Sequence, residues 1–210
     1  MYHIILYLFS FLFPSLVYSH HPLSGENMQN FSDGFFSGIG HPILGLDHLV
    51  FILGVGLISY ISNKFYNFTF AFISGTILGL TSIIFGLYLP FYEILIALTL
   101  ILLSIVILSK KKILFKGVLF TTFGIFHGWA YGAILLDKPL QNINIFFGYS
   151  LGLFLTQLLI IFLGYHFFKF LKNIKSENVL INPIFGGILI GIASVNLFEI
   201  FELKILSIIN

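Results

Sequence analysis

The chain contains six long apolar runs, and each of them can cross a lipid bilayer as a helix. A spanning helix needs roughly 20 apolar residues, because the hydrocarbon core is about 30 Å thick. The runs lack the period-2 alternation of membrane barrel strands, so the sequence predicts an all-α integral membrane protein, a bundle of six transmembrane helices. The runs cover residues 35–61, 66–88, 91–109, 117–136, 143–165 and 183–206.

The composition agrees with a lipid bilayer as the surrounding medium. Only 9% of the 210 residues are charged, whereas soluble domains carry about 25%. This shortage excludes an ordinary soluble enzyme and a nucleic-acid-binding protein. The absence of cysteine excludes disulfide and thiolate chemistry. No phosphate-binding loop occurs, so transport by this chain is not driven by ATP that it hydrolyses itself. A homo-oligomer is left open.

The N-terminal segment has the pattern of a secretory signal. An apolar run ends at Ser19 and a polar stretch follows, which predicts a cleavable signal peptide over 1–19. An extracytoplasmic tail over 20–34 and a membrane domain over 35–210 complete the chain. An uncleaved seventh span is the alternative. Five polar or sulfur-bearing residues of the tail fit either a flexible tail or a group that collects metal ions: His20, His21, Glu26, Met28 and Asp33.

The lysines predict the orientation of the bundle. All ten basic residues are lysines, and eight of them fall in loops on one side if six spans follow the signal peptide. Cytoplasmic loops carry such an excess, so both mature termini are predicted to lie outside. We expect a multi-pass protein of the bacterial inner (plasma) membrane. The eight predicted inside residues are Lys64, Lys110, Lys111, Lys112, Lys116, Lys169, Lys172 and Lys175.

Four polar side chains lie deep in the predicted spans, where a charged group costs at least about 2.5–3.5 kcal/mol. Asp47 and His48 are near the middle of the first run, and His127 is at the centre of the fourth. His41 comes two turns before His48, which is about 10 Å nearer the outside along a straight helix. Pro42 and Gly45 allow a local distortion that would bring His41 closer. Imidazole and carboxylate ligands suit Ni²⁺, Co²⁺ or Zn²⁺. The sequence therefore predicts a midplane cation site with His41 at its mouth, against packing or hydrogen bonding as the alternative role.

Other polar residues are interpreted less specifically. Glu93, at the outer end of the third span, fits an interfacial carboxylate or an entry ligand for the ion equally well. Asn196, Glu199 and Glu202 recur every three residues in the sixth span, which favours a solvated or helix-pairing face over a second cation station. His166, at an inner helix end, is interpreted as interfacial.

Small residues recur at helix-packing distance within the spans. We interpret the glycine pairs as close helix contacts. Gly-Ile-Gly-His at 38–41 and Gly-Ile-Phe-His at 124–127 hint at two inverted halves of three spans each. The segment 148–152 matches the G-x-S-x-G nucleophile pattern around Ser150, but it lies inside an apolar helix, where packing explains it better. The pairs are Gly75/Gly79, Gly124/Gly128, Gly128/Gly132, Gly148/Gly152 and Gly187/Gly191.

Four motifs in order along the chain resemble the HupE/UreJ family of nickel and cobalt permeases. The first is His41-x5-Asp47-His48 with Pro42, Gly45 and Leu49; the others are Pro90-x2-Glu93 with Ile96-Ala97, Phe126-His127-Gly128-x-Ala130-x-Gly132, and Gly148-Tyr149 with Thr156. The resemblance implies a six-helix permease that takes up Ni²⁺ or Co²⁺ as its substrate, without a cofactor. It implies these metal-binding residues: His41, Asp47, His48, Glu93 and His127.

The chain departs from the family pattern in the fourth span. Tyr131 replaces a second histidine, and Ile134 replaces a glutamate. Ile160 stands where a histidine is frequent in the fifth span, and Thr99 where a serine is common. Two ligands of the fourth span are thus missing. Beside a secondary metal permease, which is not an enzyme, two alternatives stay open: an intramembrane metal- or serine-dependent hydrolase, and a non-transporting accessory protein for metalloenzyme assembly.

Overall fold

The predicted all-α fold is confirmed over the part of the chain that the computed structural model describes. That part comprises residues 28–87, 89–109, 115–135, 143–174 and 180–209, and its regular elements are seven α-helices and one 3-10 turn. The predicted signal peptide lies outside the described residues. The helices are α1 (Phe31–Leu44), α2 (Leu46–Ile61), α3 (Phe65–Ser82), α4 (Tyr92–Leu108), α5 (Lys116–Gly132), α6 (Ile143–Ile174) and α7 (Ile181–Ile209), and the 3-10 turn Ala133–Leu135 follows α5.

Three to four of these elements are long and apolar enough to cross a membrane. The single helices are Lys116–Leu135, Ile143–Asn173 and Ile181–Glu202, and α1 with α2 qualifies as a bent pair. Helix α4 is apolar but has only 17 residues. The helices follow the six apolar runs, except that α3 ends at Ser82, before the end of the second run, and α6 continues to Ile174, beyond the end of the fifth. The count of six spans stays a prediction.

The first apolar run is two helices rather than one. Helices α1 and α2 meet at Gly45 with a bend of 79°. Pro42 lies inside α1 and has no backbone N–H to donate, and Gly45 has extended backbone with ψ of 101°. The distortion that Pro42 and Gly45 were expected to allow is thus a full break between two helices. The bend brings the two turns that carry His41 and His48 toward each other.

The start of α1 is fixed by a reciprocal cap. The Asn30 side chain accepts a hydrogen bond from the Asp33 backbone N–H at 3.0 Å, and Asp33 accepts one from the Asn30 N–H at 3.3 Å. Met28 is buried in an apolar cluster. A flexible tail does not describe Met28 and Asp33, because Met28 packs in a cluster and Asp33 caps a helix. His20, His21 and Glu26 lie outside the described residues.

Glycines let α3 pack directly on the backbone of α5. A Cβ atom at Gly75 or Gly79 would collide with backbone atoms of α5, and one at Gly124 or Gly128 with backbone atoms of α3. A side chain on either helix would force the two axes apart. The packing role predicted for these four glycines is confirmed, and Gly132 also packs, against Leu80 and Ile83 side chains.

Helices α1 and α6 form a second pair of the same kind. A Cβ at Gly34 or Gly38 would collide with the backbone of α6, and one at Gly148 or Gly152 with the backbone of α1. If the first three predicted spans are exchanged with the last three, one pair maps onto the other. This correspondence fits the inverted halves suggested by the short repeat.

The last predicted glycine pair does not pack within the described chain. Gly187 and Gly191 lie on an exposed face of α7, and the space where a Cβ would stand is open at both. Helix α7 is held instead on its other face, where the buried Ser104 hydroxyl of α4 donates to the Gly186 carbonyl at 2.9 Å.

We expect Gly128→Ala to destabilise the protein and Gly191→Ala to leave it unchanged. The added methyl group at 128 meets the Thr76 backbone, which cannot move without separating α3 from α5, and such overpacking typically costs about 1–3 kcal/mol. Thermal unfolding of the two variants in the same detergent measures the difference. Equal unfolding temperatures would contradict the backbone contact.

Candidate metal site

The three deep histidines form a row with Tyr131 beside them. The ring centroids of His41 and His48 are 5.6 Å apart, and those of His48 and His127 are 5.3 Å apart. The Tyr131 ring lies 4.4 Å from the His48 ring and 5.2 Å from the His41 ring. All four side chains are buried. The structure thus joins residues from α1, α2 and α5, which are far apart in sequence.

Hydrogen bonding fixes the tautomer of His41. The Tyr149 hydroxyl donates its single hydrogen to the Tyr131 backbone carbonyl at 2.7 Å, since a carbonyl can only accept. The same hydroxyl lies 2.7 Å from His41 Nδ1 and must therefore accept a hydrogen bond from it. Neutral His41 consequently carries its proton on Nδ1, and Nε2 holds the lone pair that a metal ion requires.

His127 has the same tautomer through a different partner. Its Nδ1 lies 3.0 Å from the Phe123 backbone carbonyl one helical turn earlier, so Nδ1 carries the proton and donates it. The side chain is fully buried, and Nε2 has no hydrogen-bond partner among the described residues. Metal-binding histidines typically donate their other N–H to a backbone carbonyl in this way.

Asp47 is held by groups outside the row. Its Oδ1 accepts from the His48 backbone N–H at 2.8 Å at the start of α2. Its Oδ2 accepts from the Asn196 side-chain amide of α7 at 3.3 Å. The carboxylate is half-buried, next to the helix start that carries His48. Asn196 thereby joins α7 to α2, as the predicted helix-pairing face of the sixth span implies.

Glu93 is not part of the row. It is exposed in the first turn of α4, and no hydrogen bond or ring contact joins it to the histidines in the described ranges. The described residues include no group of three or more His, Cys, Asp or Glu side chains placed to hold one ion. The histidines stand in neighbouring pairs, so an ion bound there would need further donors of another kind.

Apolar clusters lie on both sides of the row. Beyond His127, the Phe51 cluster consists of the buried rings of Phe51, Phe72 and Phe123, with Phe51 at 4.1 Å from the His127 ring. Beyond His41 and Tyr131 lies the Met28 cluster, which consists of Met28, Leu80, Leu135, Phe146 and Leu153, packed on Tyr131 and Tyr149. The histidines are thus enclosed between two layers without charge.

Two residues at the row were not singled out from the sequence as part of the site. Tyr149 orients His41, and Gln157 lies fully buried beside the Tyr131 hydroxyl. A glutamine inside the apolar run 143–165 is unusual at that depth, and this alone could have marked Gln157 as a candidate functional residue. Tyr149 is part of the fourth family motif, but its contact with His41 depends on how α6 packs against α1 and could not be assigned from the sequence.

The positions that depart from the family pattern have different surroundings. Tyr131 lies in the histidine row, whereas Ile134 packs against the Met28 cluster and Ile160 is buried in the main apolar core. Thr99 is buried and donates to the Ile96 carbonyl of its own helix at 2.7 Å. Only the tyrosine offers a polar atom near the row.

Comparison with known proteins gives one family. The sequence model of the family described as HupE / UreJ protein matches residues 8–197, which is well over half of the chain. No curated protein and no solved structure matches.

We expect Ser150 to have no nucleophilic role. Its hydroxyl donates to the Phe146 carbonyl at 2.7 Å within α6, and the flanking Gly148 and Gly152 pack on α1. A fluorophosphonate probe should therefore leave the purified protein unlabelled, and Ser150→Ala should change its stability by less than about 1 kcal/mol. Labelling that disappears in Ser150→Ala would favour the hydrolase alternative.

Proposed function

We propose that this chain, which belongs to the HupE/UreJ family, is a membrane permease for a divalent transition-metal ion, Ni²⁺ or Co²⁺. The family is associated with nickel or cobalt uptake and with urease or hydrogenase maturation. In this proposal the ion is the transported substrate, and it crosses the bilayer through the row of His41, His48 and His127.

The observation that carries the proposal is the state of His127. A fully buried imidazole with an unpartnered Nε2 is costly in an apolar surrounding unless a ligand uses that nitrogen. The Phe123 carbonyl fixes the proton on the opposite nitrogen, so the lone pair is available to a cation without a change of tautomer.

The ring spacing agrees with ions shared between neighbouring histidines. Two imidazoles that bind one ion through nitrogens about 2 Å away have ring centres roughly 4.5 Å apart at the 90° angle of a six-coordinate ion and roughly 5 Å apart at a tetrahedral angle. The two spacings in the row are 5.3 and 5.6 Å. An ion can therefore be passed from the His41 and His48 pair to the His48 and His127 pair with small side-chain movements.

Two electrostatic effects favour entry of a dication into the site. The Asp47 carboxylate lies beside His48 and lowers the free energy of a dication in a low-dielectric site. A membrane potential of 100 mV, negative inside, favours entry of a dication by about 4.6 kcal/mol, since each charge contributes about 2.3. Uptake then needs no ATP hydrolysis by this chain.

The proposal includes the finer topology. Six spans follow a cleaved signal peptide in the bacterial inner membrane, both mature termini lie outside, and the lysine-rich loops face the cytoplasm. Exposed Glu93, at the outer end of its span, attracts the hydrated ion before it reaches His41. The proposed orientation of the bundle is supported by the lysine distribution along the chain.

We expect His127→Ala to abolish accumulation of radioactive ⁶³Ni²⁺ and ⁵⁷Co²⁺ in cells that express the chain. The reason is the loss of the deepest nitrogen donor of the row. His166→Ala is the matched control, because His166 is exposed and lies outside the row. Membrane content of each variant is measured in parallel. Normal uptake by His127→Ala would refute the proposed route.

The same assay separates transport from an accessory role. Metal binding by the purified protein, without accumulation in cells, would favour the accessory alternative. The accessory alternative is supported by one observation. Among the described residues, no three His, Cys, Asp or Glu side chains are placed so that they could bind one metal ion together.

We expect Tyr149→Phe to weaken Ni²⁺ binding by 10- to 100-fold without loss of the fold. Phenylalanine keeps the ring and removes only the hydroxyl that orients His41, and changes to such supporting partners typically have effects of that size. Titration of the purified variant with Ni²⁺ checks this. Tyr66→Phe is the control, since Tyr66 is 70% exposed. Unchanged binding would mean that His41 is not a ligand.

A further inference from the structure

Three fully buried side chains at the histidine row have polar atoms without a hydrogen-bond partner. They are His127 on Nε2, Tyr131 on its hydroxyl and Gln157 on both atoms of its amide. The Gln157 side chain lies beside the Tyr131 hydroxyl, close enough for a weak hydrogen bond, but no hydrogen bond of standard geometry joins them. Gln157 belongs to α6, so a third part of the chain contributes to this place.

Buried polar groups without a hydrogen-bond partner are rare in native structures. Their free-energy cost is highest in a membrane interior, where no bulk water can solvate them. A glutamine can make up to four hydrogen bonds, and here neither its carbonyl oxygen nor its amide nitrogen makes one of standard geometry. The Met28 cluster and the Phe51 cluster around the row provide no polar partner. The unpaired atoms therefore point to a polar ligand that occupies the space beside Tyr131 and Gln157.

The position of Tyr131 connects this place to the histidines. Its ring lies 4.4 Å from the His48 ring and 6.3 Å from the His127 ring, and its hydroxyl is the group next to Gln157. Buried imidazole rings and buried neutral oxygens are thus linked through the Tyr131 side chain. Neither a phenol nor an amide adds charge to the site.

We propose that Gln157 and Tyr131 recognise water molecules that the metal ion retains, and that Gln157 determines which dication the site accepts. This inference rests on the proposed transport function. The histidines bind the ion directly through Nε2. The Gln157 Oε1 and Tyr131 Oη atoms accept hydrogen bonds from the coordinated waters, which a dication makes strongly donating.

This arrangement discriminates between ions by coordination number. Two imidazoles and several retained waters suit a six-coordinate ion such as Ni²⁺ or Co²⁺. Zn²⁺ favours four ligands in a tetrahedron and keeps fewer waters, so it gains less from Gln157 and Tyr131. Loss of the Gln157 carbonyl should therefore weaken Ni²⁺ binding more than Zn²⁺ binding.

The test is calorimetric titration of the purified full-length chain in detergent with Ni²⁺, Co²⁺ and Zn²⁺. We expect Gln157→Leu to raise the Kd for Ni²⁺ and Co²⁺ at least tenfold and the Kd for Zn²⁺ less than threefold. Tyr131→Phe, which removes only the hydroxyl, should shift the ratio in the same direction. Gln29→Leu is the matched control on an exposed residue and should change none of the three constants.

Two further variants separate the possible failures. Gln157→Glu retains a carbonyl-type oxygen and should keep tight Ni²⁺ binding, whereas a structural glutamine would not be replaced by a carboxylate without loss of the fold. His127→Ala should lose all three ions. If His127→Ala behaves so but Gln157→Leu leaves the Ni²⁺ to Zn²⁺ ratio unchanged, this inference is wrong and the proposed function stands. Unchanged binding by His127→Ala would overturn both.

The unfolding temperature of the metal-free protein gives an independent check. Because the Gln157 amide makes no hydrogen bond of standard geometry in the structure, Gln157→Leu should leave that temperature unchanged or raise it. A fall of several degrees would show that the amide stabilises the helix bundle, and it would contradict the proposed role.

Discussion

The architecture depends on direct contact between helix backbones. Glycines at 75, 79, 124 and 128 join α3 to α5, and those at 34, 38, 148 and 152 join α1 to α6. In a bilayer the hydrophobic effect does not drive helices together, so such close approach supplies the dispersion contacts that hold a bundle. The two pairs also carry most residues of the candidate site. Helix α5 carries His127 and Tyr131, α1 carries His41, and α6 carries Tyr149 and Gln157. The row lies where one rigid pair meets the other, and α2 contributes His48 between them.

The break at Gly45 turns a sequence motif into a local arrangement. Residues 41 and 48 would be separated along a straight helix, but the 79° bend places their rings 5.6 Å apart. The same break creates a helix start at Leu46, where Asp47 accepts a backbone hydrogen bond and reaches α7 through Asn196. A proline and a glycine three residues apart thus control both the spacing of the histidines and the direction of the carboxylate.

Much of the fold was predictable, because apolar run length and small-residue spacing are local properties of the sequence. Such patterns predict the positions of the helices and the family. They also predict that the glycines of α3 and α5 lie at a close helix contact. The deep histidines were also found from their depth alone. The bend was only anticipated as a distortion that Pro42 and Gly45 allow, since its size depends on the packing of both helices. The hydroxyl of Tyr149 and the amide of Gln157 could not be assigned to His41 and Tyr131, because these contacts join α6 to α1 and α5 across the bundle. The open face at Gly187 and Gly191 shows that a small-residue motif does not itself identify a partner.

The two apolar clusters determine the surroundings of the histidines. Met28 and its neighbours pack on the side of His41 and Tyr131, and the Phe51 rings pack on the side of His127, so the histidine side chains are buried in the conformation described. An open aqueous pore would let protons and sodium ions dissipate the membrane potential along with the intended cargo. Under the proposed transport function, an ion could pass the row only when these clusters move, which is how a carrier, unlike a channel, leaves other ion gradients intact.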